Sequence, residues 1–404
     1  MSSHLSEQVS RRTRQRMDPR MSVHPSQDER RYDVVVIGGG AAGLSGALTL
    51  GRARRSVLVI DAGEPRNAPA DGVHNYLGRE GTPPGELLAT GRGEVRRYGG
   101  EIVAGRVVTA ERDGDGFRVV LDDGGEVRAA RLLVTTGLVD ELPEVPGLAT
   151  LWGSDVLHCP YCHGWEVRDQ AVGVLGTGPA AVHQALMWRQ WTKSVTLFLH
   201  TAPEPTDEEY EQLAARGISV VDGTVSALES ENGRLAGARL ARGTLVPVQA
   251  LVVAPRFTAR AGFLGSLGLE ASEQEMNGMV IGTRIPTGPA GRTAVPGVWA
   301  AGNVTELTEQ VIGSAAAGLR AAAAINADLM AEETRAAVEA RRADFSDDSD
   351  FSDDSDVSGF SDDSDVSGFS DDSDVSGFSD VSGFSPEAER RVSERVLGSR
   401  RHGL

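Results

Sequence analysis

The only two cysteines of the 404-residue chain stand three positions apart, in the run His158-Cys159-Pro160-Tyr161-Cys162-His163-Gly164-Trp165-Glu166. Four chemistries fit these letters. The first is a redox dithiol: thiols at this spacing can close a disulfide across one turn, and a helix N-terminus can make one of them acidic. The second is haem attachment, because Cys159-x-x-Cys162-His163 has the C-x-x-C-H form; no export signal is read at the start of the chain to go with it. The third is a structural zinc held with His158 or His163, but there is no second cysteine pair, and ligands so close in sequence make a poor tetrahedron. The fourth is inert packing, which does not explain why both thiols share one turn. A redox pair needs a two-electron partner, for which a flavin serves, and a base to take up and return a proton. His163, next to Cys162, has the right ordinary pKa range, with Glu166 as the reserve. The competing role for His163 is a helix-end residue bonded to backbone.

The elements that must hold such a partner are legible. Residues 32–37 read as a buried strand running into Gly38-Gly39-Gly40-Ala41-Ala42-Gly43 and an apolar helix pattern to residue 50; residues 56–60 read as a second strand ending at Asp61. This is strand, Gly-x-Gly-x-x-Gly, helix, strand, acid. Gly38 permits the tight turn, Gly40 lets backbone approach a pyrophosphate, and Gly43 lets helix pack on strand. The helix N-terminus then faces the phosphates, and Asp61 accepts from ribose hydroxyls. Residues 101–134 read as short strands with turns at Asp113-Gly114-Asp115-Gly116 and Asp122-Asp123-Gly124-Gly125. They end in a strand entering Thr135-Thr136-Gly137, a small-residue turn that returns to the nucleotide.

A second unit follows the cysteines: a strand at 171–175, Gly176-Thr177-Gly178-Pro179-Ala180-Ala181, a helix through residue 185 and a strand at 195–199. Its ligand is left open. A 2′-phosphate wants Arg or Lys just past residue 199, whereas the chain continues His200-Thr201-Ala202-Pro203-Glu204-Pro205 with Asp207, Glu208 and Glu209 beyond. The first pattern resumes after residue 284, with a strand and turn at Val298-Trp299-Ala300-Ala301-Gly302-Asn303 and an Ala-rich helix from about 310 to 330. The expected fold is therefore α/β, with two Rossmann-like dinucleotide-binding domains, the second inserted in the first. Residues 32–148 and 285–335 make the first, and 149–284 the second.

The net charge of −18 is concentrated. Residues 344–385 hold 14 Asp and no Lys, Arg or Glu, in a nine-residue Ser-Asp-Asp-Ser-Asp-Val-Ser-Gly-Phe repeat. Such a tail has too little apolar content to offset its ordering entropy and is expected to be disordered. So is the polar leader at 1–30; residues 386–404 read as a short charged helix. No basic stripe points to nucleic acid. The long uncharged run at 34–51 contains six glycines and reads as strand-turn-helix rather than a membrane span. Two cysteines make no secreted disulfide scaffold, so a cytoplasmic setting is expected.

In this order the motifs resemble the low-molecular-weight thioredoxin reductase family over residues 32–332. The likeness rests on Gly38 to Gly43, on Cys159-Pro160-Tyr161-Cys162 just ahead of Gly176 to Ala181, and on Ala301-Gly302-Asn303 with Gln310-Val311 as a closing flavin segment. It implies FAD in the interrupted domain, a linker about which the inserted domain rotates, and a homodimer. It also implies that Cys162 faces the flavin while Cys159 exchanges with substrate. Three positions depart from the family: His163 and Asn303 stand where Asp is usual, and the basic cluster that reads NADPH is missing. With the Cys-Pro-Tyr-Cys-His-Gly-Trp-Glu wording, they are similar to the branch containing dithiol oxidases of dithiolopyrrolone and epidithiodiketopiperazine biosynthesis. The expected function is a small-molecule dithiol oxidase that passes electrons through FAD to oxygen. The alternatives are NADPH-driven reduction of a thioredoxin-like protein and a non-catalytic flavin redox sensor.

Overall fold

The computed structural model describes residues 31–276 and 278–347, with side chains to residue 343. The leader expected at 1–30, the acidic repeats from 348 onward and the charged helix expected at 386–404 lie outside the described residues. One compact unit ends at Arg342.

The chain opens with β1 (Arg31–Ile37), α1 (Ala41–Arg52) and β2 (Val57–Asp61). Next come α2 (Pro84–Arg97), β3 (Glu101–Ala104), β4 (Val107–Asp113), β5 (Gly116–Leu121), β6 (Glu126–Val134) and β7 (Leu138–Glu141). Valine and isoleucine runs form β1 and β2 because both faces are covered, as a parallel sheet requires; Val34 to Val36 and Val59 have no exposure. The sheet order is β3-β2-β1-β6-β5-β4. β4 and β5 meet at the predicted turn, where Asp113 pairs with Gly116.

The second sheet is built from β8 (Val156–Leu157), β9 (Val172–Leu175), β10 (Val195–Phe198), β11 (Ser219–Val221) and, after an excursion, β15 (Ala250–Val252). Its order is β11-β10-β9-β15-β8, all parallel. Helices α3 (Pro160–His163), α4 (Ala181–Trp188) and α5 (Asp207–Ala215) lie between its strands in sequence, and the excursion is a small antiparallel sheet of β12 (Val225–Glu231), β13 (Arg234–Leu240) and β14 (Leu245–Val246).

Residues 256–284, assigned by sequence to the inserted domain, do not join this sheet. They form β16 (Arg256–Ala259), β17 (Ser272–Met276) and β18 (Met279–Arg284), and β16 pairs antiparallel with β7. This fourth sheet, β17-β18-β16-β7, joins the two crossings between the nucleotide folds. Two short connections that run side by side satisfy each other's backbone groups. The chain then returns to the first sheet through β19 (Val298–Ala300) and α6 (Val311–Asp347). β6 shares one edge between two partners: its first residues pair with β5, and residues 132–134 pair with β19. The last helix runs well past the expected end near residue 330, because 331–343 has neither Gly nor Pro to stop it. No helix of the described residues is long and apolar enough to cross a membrane.

Candidate active site

A single cavity of about 1330 Å³ is lined by the glycine loop, Asp61, Thr136, Gly137, Gly302, Asn303, Gln310 and Val311 together with Cys159, Cys162 and His163. The sequence placed these residues in separate motifs, and the fold brings them to one space. Gly43 lies beneath the loop instead of lining it: a Cβ there would sit 1.9 Å from the Gly38 carbonyl oxygen. Gly176 and Gly178 are outside the cavity. A Cβ on Gly178 would meet the Met279 sulfur of β18 at 2.7 Å. Thus the second glycine of the second cradle is already covered from within the chain.

The first cradle fits a dinucleotide. α1 begins after Gly40 with no side-chain cap and no acid in its first turn, so its free N–H groups and positive end are available to an anion. A Cβ on Gly40 would enter open space, and Gly38 takes φ +110° against the Thr135 carbonyl. The Thr135 hydroxyl donates to Gly38 O at 2.9 Å, which pins the loop to β6. Asp61 accepts from Gly39 N at 3.3 Å and Gly63 N at 3.2 Å, so its carboxylate sits at the loop's edge. These residues would hold the pyrophosphate and ribose of FAD.

Asn303 does more than its sequence role required. Its amide donates to the carbonyls of Glu306 (3.1 Å) and Glu309 (2.9 Å), closing the turn that leads to α6. Aspartate could not make these bonds when ionised. Its oxygen accepts from Arg66 at 3.5 Å. Arg66 was not singled out by sequence. It forms a bidentate pair with the buried Asp140 of β7 (2.8 and 2.7 Å) and lies over the Phe257 ring at 5.2 Å. Nothing local in the sequence flags a contact across 74 positions.

The dithiol sits where a short helix starts. Cys159 is the N-cap of α3, Pro160 takes its first position, and Gly164 ends it. A Cβ on Gly164 would strike Pro160 O at 2.4 Å and the Trp191 indole nitrogen at 2.8 Å, so glycine lets α3 rest on Trp191. Cys162 donates its S–H to Cys159 at 2.9 Å. That bond, and then backbone N–H groups of Cys162 and Tyr161, bring the Cys159 thiol down to about 7 against the pull of burial. The same bond and burial push Cys162 up. Of the two sulfurs, Cys159 is the one whose thiolate is favoured and Cys162 the one that keeps its proton. His158 faces away from zinc chemistry: its Nδ1 meets the Val253 carbonyl at 3.3 Å and its ring packs edge-on against Phe257.

Neither ring nitrogen of His163 finds a hydrogen-bond partner among the described residues, although both are buried. The competing helix-end role, bonded to backbone, is thereby overturned. Burial lowers its pKa, so it is a neutral imidazole at neutral pH, with a lone pair for a proton. An irregular strap between β2 and α2 holds this segment over the cavity. Asn75, at φ +59°, donates to Tyr161 O at 2.6 Å, and His74 reaches Glu166 at 3.5 Å.

Residues 32–322 match the pyridine nucleotide-disulphide oxidoreductase family. The chain is 31% identical over 330 residues to the thioredoxin reductase tcpT of Claviceps purpurea, covering 75% of this chain and 97% of that protein. It is 33% identical over 313 residues to the thioredoxin reductase sirT of Leptosphaeria maculans, covering 73% and 93%. Among solved structures it is similar to HlmI, with 46% identity, a TM-score of 0.72, and coverage of 78% of this chain and 97% of that one.

Proposed function

The chain belongs to the pyridine nucleotide-disulphide oxidoreductases, and from that premise we propose that it is an FAD-dependent oxidase of a small-molecule dithiol, using the Cys159–Cys162 pair and oxygen. The observation that carries this reading is the asymmetry of the two cradles. The first opens into the cavity that holds both thiols, and the second does not. Around the second, the helix after β10 begins with Asp207, Glu208 and Glu209, and Thr206 and Glu209 form a capping box. Those acids oppose a 2′-phosphate. His200, the one basic group just past β10, accepts from Val225 N at 3.1 Å through its Nδ1.

FAD, when bound, supplies a two-electron acceptor that oxygen can later discharge. This chain's residues do the rest. In the oxidised enzyme a substrate thiolate attacks Cys159, the sulfur that exchanges with substrate, and Cys162 leaves, taking up the proton that the substrate thiol gave up. The second substrate thiol displaces Cys159, whose low pKa makes it a good leaving group. His163 takes a proton as the pair closes again. The cavity would admit a small dithiol, and a homodimer in the cytoplasm is the assembly we assign.

The likeness to thioredoxin reductases favours a second reading, NADPH-driven reduction of a thioredoxin-like protein. It needs the second cradle to open, with Met279 leaving Gly178 and the inserted fold turning about β7 and β16. The third, a flavin redox sensor, predicts no turnover. Oxygen uptake decides among them. We expect the purified protein to consume one oxygen and form one hydrogen peroxide per dithiol closed, without NADPH. Absence of uptake across aliphatic and aromatic dithiols, with NADPH-dependent reduction of thioredoxin in its place, overturns the proposal.

A further inference from the structure

Closing a dithiol breaks two S–H bonds, forms one S–S bond and releases two electrons and two protons. In a full cycle these end on oxygen as hydrogen peroxide. The electrons leave through the flavin, whereas the protons start on sulfurs beside a histidine that has no hydrogen-bond partner among the described residues. His163 therefore needs a second group to exchange protons with solvent.

The strap supplies one. His74 is partly buried and lies in the cavity wall. Its Nδ1 is 2.6 Å from Glu80 Oε1, and its Nε2 is 3.5 Å from Glu166 Oε1. Glu166 follows His163 by three residues, and both acids are more exposed than the histidine between them. The groups acting on His163 are Glu166 and Asp71, which favour its charged form, and His74, which opposes it. Glu80 is fixed in turn, because its second oxygen accepts from Asn75 N at 2.9 Å. Asn75 is also the residue that ties the strap to Tyr161 inside the dithiol turn.

We propose that His74 is a positioning residue for proton exchange, linking His163 to solvent by way of Glu166 and Glu80. Each of its nitrogens faces a different carboxylate, so it can accept a proton on one side and release it on the other without turning. The bridge joins the strap of the flavin cradle to the segment after the cysteines. It is made in the arrangement in which both thiols line the cavity, the one in which electrons can move.

The inference rests on the reading of Cys159–Cys162 as a flavin-coupled pair, and it holds for either direction of electron flow. The test is stopped-flow reduction of FAD-loaded protein, using whichever reductant, dithiothreitol or NADPH, bleaches the wild-type flavin. His74→Asn keeps a polar side chain but cannot relay. We expect it to slow the steady-state cycle about 100-fold, the lower end of the range for positioned acid–base groups, with KM for the dithiol unchanged and a larger solvent deuterium effect. Added imidazole restores the rate, and Glu166→Gln shows the same loss. An unchanged rate and pH profile in His74→Asn overturns the inference, as does a loss that imidazole does not repair, since that marks a structural role. Failure of both reductants to bleach the wild-type flavin removes the redox reading itself, and the inference with it.

Discussion

Serine at Cys159 or at Cys162 lowers dithiol turnover by about a thousandfold or more, since members of a catalytic unit fail together, while the protein keeps its fold and its flavin. The thiols meet each other and the first backbone groups of a four-residue helix, and neither belongs to a buried apolar cluster. The two sulfurs are not equivalent, and alkylation of the reduced protein exposes this. Reaction with iodoacetamide follows a single thiolate with a midpoint near pH 7, and Cys159 carries the label. The largest cause of that acidity is the S–H of Cys162. Cys162→Ala therefore moves the midpoint up toward the ordinary thiol value of 9.0. Cys162→Ser, which keeps a donor at the same place, moves it less. Equal midpoints in the two variants contradict the assignment, because burial alone would then set the value.

Alanine at Gly318 costs the protein its cofactor. Gly318 lies in α6 where that helix crosses the first turn of α1, and a Cβ there would sit 1.9 Å from Ala42 O and 2.7 Å from its carbonyl carbon. Backbone, not a flexible side chain, is the obstacle, so the helices must part. Overpacking of this kind costs about 1–3 kcal/mol. The displaced element is the helix whose N-terminus would face the pyrophosphate, so the loss falls on flavin retention as well as on melting temperature. Gly93 is the internal control. It is also helical, a Cβ there meets nothing within 4 Å, and alanine at that position raises stability by about 0.5–1 kcal/mol. The flavin-to-protein absorbance ratio and the thermal midpoint of both variants check the pair of expectations; full flavin content in Gly318→Ala refutes the first.

Gly318 illustrates what was hidden in the sequence. Gly38, Gly40 and Gly43 stand in a motif whose spacing announces a turn, but Gly318 is one small residue in an alanine-rich helix, and its constraint comes from a distant helix. Strands β1, β2, β9 and β10 were legible because parallel strands covered on both faces carry unbroken apolar runs. The β16–β18 segment was misplaced for the same reason in reverse. Its short half-exposed strands show no strong pattern, and their partner β7 lies more than a hundred residues earlier. The strap between β2 and α2 has no periodicity, so Arg66, His74 and Asn75 had no local signal. Asn303 stood out in the sequence as a departure from the usual Asp, and the structure shows its amide making bonds that an ionised carboxylate cannot make. The cysteine turn was plain from composition alone, and the fold adds which thiol is acidic and that His163 has no hydrogen-bond partner among the described residues.

In the proposed function electrons enter from a dithiol and not from a nicotinamide. Anaerobic stopped-flow measurement of the flavin's visible absorbance tests it most directly. The FAD-loaded wild-type protein is mixed in parallel with a dithiol and with the same concentration of NADPH. Rapid bleaching by the dithiol, abolished in Cys159→Ser, and none on that timescale by NADPH is the expected result. Rapid bleaching by NADPH that survives in Cys159→Ser contradicts it, because the second cradle would then be open to nucleotide and the chain would run as a reductase.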